Sequence, residues 1–113
     1  MTRDELDRAC RALPGVTMEV LWGADEVYKV GGKMFVATGP TGGCSMKASD
    51  IAFEALTETG QARPSPYLAR AKWVRFEALA ALDADEGRDL VRNAHALVAA
   101  KLTRAKRREL GIG

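Results

Sequence analysis

A chain of 113 residues, 47% hydrophobic and 28% charged, has material for one core that hides roughly two-thirds of the unfolded surface, so a single domain over 1–113 is expected. It contains no run of about 18 apolar residues, and Thr2-Arg3-Asp4-Glu5 is not the basic-then-apolar pattern of an export signal, so a cytoplasmic protein without a membrane span is expected. The net charge of +2 conceals an asymmetry: residues 1–60 hold 6 basic and 9 acidic groups, whereas 61–113 hold 11 basic and 6 acidic.

In chain order, Thr2 and Glu5 have the spacing of a capping box, and Leu6, Ala9, Cys10 and Leu13 recur at helical period until Pro14-Gly15. A helix over about 3–13 follows, its solvated face carrying Asp4 with Arg8 and Asp7 with Arg11. From Val16 the pattern becomes β. Val16 to Trp22, Glu26 to Val30 and Lys33 to Thr38 are candidate strands, and Gly31-Gly32 supplies the positive φ angles of a two-residue hairpin turn. A fourth strand near Gly43 to Lys47 follows the loop Gly39-Pro40-Thr41-Gly42-Gly43. Short connections favour antiparallel pairing.

Ser49 can cap a helix running to about Thr59 that buries Ala52, Ala55 and Leu56, with Gly60 as its stop. Gln61 to Ala71, with Pro64 and Pro66, is expected to be irregular. Trp73 to Glu77 reads as a further strand. Asp83 and Glu86 then open a long helix whose apolar stripe runs through Leu90, Val91, Ala94, Leu97, Val98 and Leu102.

The residues supply little catalytic chemistry. His95 is the single histidine, and Cys10 and Cys44 form no metal-ligand pair with it or with each other, so neither a metal nor a cofactor is expected and both cysteines read as reduced core residues. The loop at Gly39 to Gly43 lacks the glycine and lysine of a phosphate loop where Cys44 and Ser45 stand, and Ser45 lacks the second flanking glycine of a nucleophile elbow. Asp83, Asp85, Glu86 and Asp89 suit a helix N-terminus. Asp25-Glu26, placed in a turn, gives no sign of the raised pKa that acid–base catalysis needs. No enzyme is expected.

What remains is basic. Lys101, Arg104, Lys106, Arg107 and Arg108 crowd a C-terminal segment spanning 101–113. Arg63, Arg70, Lys72 and Arg75 surround Tyr67 and Trp73. Cations interleaved with aromatics suit phosphate contact with base stacking, which makes Lys72, Arg75, Lys101, Arg104, Lys106, Arg107 and Arg108 candidate nucleic-acid contacts. The competing account is that cations end a helix favourably and keep a tail soluble.

The sequence resembles the MmcQ/YjbR family, bacterial proteins of about this length commonly labelled DNA-binding. The matching residues are Pro14-Gly15-Val16-Thr17, Trp22-Gly23, Val27-Tyr28-Lys29-Val30-Gly31-Gly32-Lys33-Met34-Phe35, Lys47, Pro66-Tyr67 with Lys72-Trp73, and Leu97-Val98-Ala99-Ala100-Lys101-Leu102. His95 stands where the family usually has an aromatic residue. The resemblance implies a two-layer, secretion-chaperone-like α+β fold, with helices on one face of a curved antiparallel sheet in the order α-β-β-β-β-α-β-α. Two functions follow as expectations. One is DNA binding through phosphates with little sequence specificity. The other is a protein-interaction or chaperone-like module using a sheet face or edge, with a protein partner or as a homodimer.

Overall fold

The capping box at Thr2 and Glu5 is formed, and it starts helix α1, Arg3–Arg11, which ends at Ala12. The computed structural model describes residues 1–21, 23–66 and 68–113, so expectations resting on Trp22 and Tyr67 lie outside the described residues. Three strands follow: β1 (Val16–Leu21), β2 (Asp25–Val30) and β3 (Lys33–Thr38). Asp25 and Glu26, expected in a turn, are therefore the first residues of β2. Then come β4 (Cys44–Lys47) and α2 (Asp50–Glu58), the latter capped by Ser49 accepting from the Ala52 amide. Leu56 is buried on α2 as expected, but Ala55 faces solvent, and Phe53 takes its place against the core.

Two expectations are corrected downstream. The segment from Gln61 to Ala71 is not wholly irregular: Arg63–Pro64 form a short strand, β5, and Ala69–Ala71 form one 3₁₀ turn before β6 (Trp73–Phe76). Proline is tolerated in β5 because the strand is outermost and needs no donor on its free side. Further on, the last helix does not run through Leu102. Helix α3 spans Ala84–Ala99, and Thr103 opens a separate helix α4, Arg104–Glu109, by accepting from the Lys106 amide. Thr103, directly after Leu102, has the short polar side chain that starts a new helix instead of continuing the old one.

The strands form one antiparallel sheet in the order β1-β2-β3-β4-β6-β5. Gly31 and Gly32 make the two-residue turn, with φ of 58° and 81°, and Val30 pairs with Lys33 across it. The register then slips between Tyr28 and Lys29, so Phe35 is an extra residue on β3. This bulge lets consecutive Phe35 and Val36 both join the core with Tyr28 and Val30.

The helices cover one face. α3 lies across β2, β3 and β4, α1 packs on α3 and β1, and α2 packs on β5 and β6. Val91, Ala94 and Val98 of α3 meet Leu6 and Cys10 of α1 and the sheet residues Phe35, Val36, Met46 and Val74. His95 is buried among them, its Nε2 2.9 Å from the Pro14 carbonyl and its ring edge-on to Phe35, at 5.5 Å between centroids. The imidazole acts as an aromatic packing element with one polar tether. Cys10 and Cys44 are both unlinked and fully buried, and burial pushes the Cys44 thiol up to about 12.

Two consequences can be measured. Leu102 packs on Gly31, its Cδ1 2.7 Å from where a Cβ would stand, whereas Gly32 has open space. Gly32→Ala should cost about 1–2 kcal/mol for a left-handed L-residue, and Gly31→Ala about 1–3 kcal/mol more from overpacking, read from urea unfolding. Equal costs would contradict this packing.

The second concerns Asp7, which accepts from the Tyr28 hydroxyl at 2.7 Å and from Arg11. Burial opposes its ionisation, but those two donors outweigh it and hold the carboxyl below the ordinary 3.8. A depressed carboxylate stabilises the fold above its unfolded pKa, and that stability is lost as pH falls through the folded value. Tyr28→Phe should therefore cost about 1–2 kcal/mol at neutral pH and lose part of the difference as pH drops below 3.8. A pH-independent cost would contradict the ionic hydrogen bond.

Candidate nucleic-acid interface

Antiparallel register sorts side chains not only by face but also by end. At the end of the sheet marked by the Gly31-Gly32 turn lie the start of β3 with Lys33, the end of β4 with Lys47, and the start of β6, preceded by Arg70 and Lys72. Lys47 sits opposite Trp73. α3 brings its C-terminal end to the same place, because Leu102 seats on the hairpin turn and carries Lys101 with it.

Helix α4 follows at once and is not a loose tail. Leu110 packs on Gly15, Leu110 and Ile112 lie against the core, and the Arg107 guanidinium reaches the Ala100 carbonyl. With its apolar end anchored, α4 leaves Arg104 and Arg108 exposed and Lys106 and Arg107 half-buried. A small groove of about 300 Å³ runs between Arg104, Arg107, Arg108 and Ile112.

The ion pairs sharpen this picture. Arg3, Arg11, Lys29, Arg63, Arg75, Arg88, Arg92 and Lys106 each contact a carboxylate. Among the described residues, Lys33, Lys47, Arg70, Lys72, Lys101, Arg104, Arg107 and Arg108 have no such partner, and all belong to the hairpin-turn end or to α4. Arg8, in α1, is the exception elsewhere. Burial lowers the pKa of Lys47, and the nearby charges of Lys101 and Lys72 lower it further, with Asp50 opposing. Like charges are thus packed closely enough to feel one another.

Lys72 is held in an unusual way. It is the non-glycine residue with positive φ among those described, at 63°, where it ends the 3₁₀ turn. Its Nζ lies 4.9 Å from the centre of the Phe53 ring, and the Lys47 ammonium donates to the Ala71 carbonyl next door. A left-handed lysine costs about 1–2 kcal/mol that glycine or asparagine would spare, and such strain is concentrated at working surfaces.

Of the seven residues singled out from sequence, six converge: Lys72, Lys101, Arg104, Lys106, Arg107 and Arg108. Arg75 does not. It lies on the helix-free face, its Nε 3.4 Å from Glu77. Trp73 is 5% exposed, so it packs and offers no face for stacking. Lys33, Lys47 and Arg70 escaped notice because they are isolated in sequence and meet only through strand register.

The architecture is that of α+β proteins with a six-stranded open antiparallel sheet covered on one side by helices. The chain belongs to the YjbR family, whose model matches residues 11–97. Among solved structures it is similar to protein DR2400 of Deinococcus radiodurans, which carries a DUF419 domain, at 27% identity and a TM-score of 0.87, covering 99% of this chain and 89% of that one. No curated protein matches. Among the described residues no helix is long and apolar enough to cross a membrane, and no three His, Cys, Asp or Glu side chains gather to hold a metal ion.

Proposed function

We propose that the protein is a non-enzymatic nucleic-acid-binding protein that contacts DNA phosphates through the hairpin-turn end of its sheet and α4. The observation that carries this reading is the gathering there of cations without carboxylate partners: Lys33, Lys47, Arg70, Lys72, Lys101, Arg104, Arg107 and Arg108. Unneutralised charge of one sign, drawn from four elements and the connections between them, attracts a polyanion and releases its counterions. Among the described residues no long helix presents polar side chains suited to base edges at this end, so the contacts position the backbone without reading sequence.

A protein-partner reading has one observation of its own. β1 is an outer strand of six residues, and Val20 on it is 59% exposed, whereas the opposite edge is the two-residue β5 blunted by Pro64. An unpaired edge of that length can add a strand from a second copy or another chain.

A titration of duplex DNA against salt separates the two. Lys101→Gln/Arg104→Gln/Arg108→Gln should flatten the slope of log K against log salt by about 2.7, taking about 0.9 for each phosphate that is no longer neutralised. Arg75→Gln should leave the slope unchanged. No DNA binding at low salt, together with a dimer whose formation is abolished by Val20→Lys, would replace the first reading with the second.

A further inference from the structure

The face of the sheet without helices is not bare. Register aligns Val27, Ala37, Ser45, Arg75 and Arg63 in a row across β2, β3, β4, β6 and β5. Val27 is fully buried and Ser45 is 8% exposed although no helix lies above them. The loop Gly39-Pro40-Thr41, with Ser65 and Leu68, walls off a cleft of about 320 Å³, floored by Met34, Ala37 and Ser45 and edged by Asp25 and Arg75. That volume suits a small molecule.

Two of its polar side chains, Ser45 and Arg75, keep N–H or O–H groups with no acceptor among the described residues. The hydroxyls of Ser45 and Ser65, both buried, are 3.1 Å apart. Each hydroxyl has one hydrogen to give, and the pair share one bond, so one O–H has no acceptor among the described residues. Arg75, the cross-strand neighbour of Ser45, spends its Nε on Glu77 and has no other acceptor among the described residues. The Arg75 guanidinium lies where a Cβ at position 43 would stand, so Gly43 makes room for it. A glycine there is explained by that close approach, not by its backbone angle.

We propose that this cleft binds a small organic monocarboxylate. The carboxylate takes the two terminal N–H groups of Arg75, whose planar fork matches it, together with the free Ser45 or Ser65 hydroxyl. The apolar body lies against Met34 and Leu68. Asp25, which also lines the cleft, opposes a dianion more strongly than a monoanion, which disfavours phosphate dianions. This site is separate from the basic end and does not depend on nucleic-acid binding.

The test is an amide NMR titration of the full chain with sodium benzoate and, separately, with inorganic phosphate. Benzoate should produce saturable shifts at Ala37, Ser45, Ser65 and Leu68 and at the Arg75 side chain, with Kd on the order of 1 mM or tighter, and phosphate should bind the cleft at least tenfold more weakly. Arg75→Gln should weaken benzoate at least tenfold with its spectrum otherwise unchanged. Gly43→Ala, which displaces the guanidinium, should do the same, and Ser45→Ala should weaken it several-fold. Arg75→Gln alone decides the matter if Gly43→Ala fails to fold. Absence of saturable shifts, tighter cleft binding of phosphate, shifts confined to the Lys72 and Lys101 end, or unchanged affinity in Arg75→Gln would each overturn the proposal.

Discussion

The seating of Leu102 on Gly31 fixes where the charge of this protein ends up. α3 crosses the sheet with Val91, Ala94 and Val98 facing down, and the helix ends where the first hairpin turns. A side chain at position 31 would meet Leu102 within 2.7 Å, so the absence of a Cβ lets helix end and turn come together. Lys101 then joins the lysines that strand register has already brought to this end. Thr103 caps the next helix immediately, and Leu110 and Ile112 pin α4 back onto the core. One apolar contact thus turns a basic stretch of sequence into a basic surface.

The two faces of the sheet have different chemistry. The covered face is apolar almost throughout, and its polar exceptions are tethered: Tyr28 to Asp7, Thr38 to the Glu26 carbonyl and His95 to the Pro14 carbonyl. The helix-free face carries Ser45, Ser65, Arg75 and Asp25 around a cleft, closed by loops instead of helices. The bulge at Phe35 helps to separate them, because it sends Phe35 and Val36 to the covered side and leaves Met34 and Ala37 on the other. A core and a candidate binding surface therefore share a sheet only one residue thick.

Much of the fold was legible in the sequence because local chemistry and tertiary packing agree. The Thr2 and Glu5 capping box, the Gly31-Gly32 turn, the Ser49 cap and the Asp83 cap each act within a few residues, and each forms as expected. Misreadings arose where distant packing decided. Arg63–Pro64 has no strand pattern of its own and pairs because β6 offers an edge. The segment 101–113 read only as a basic stretch, since nothing local says that Thr103 caps a helix or that Leu110 and Ile112 fold back. The candidate surface was half visible: α4 is a run in sequence, whereas Lys33, Lys47 and Arg70 are single residues that only register unites. Arg75, close to Lys72 along the chain, points from another part of the sheet because β6 carries it three residues away.

The central claim is that the hairpin-turn end, and not the helix-free face or the β1 edge, meets nucleic acid. Lysine acetylation read by mass spectrometry, with and without a saturating DNA duplex at low salt, addresses it directly. Protection of Lys33, Lys47, Lys72, Lys101 and Lys106, with Lys29 protected least because it is already paired with Glu19 at 2.7 Å although it too stands beside the turn, is the result the account predicts. Uniform reactivity of all six lysines in the presence of DNA would contradict it.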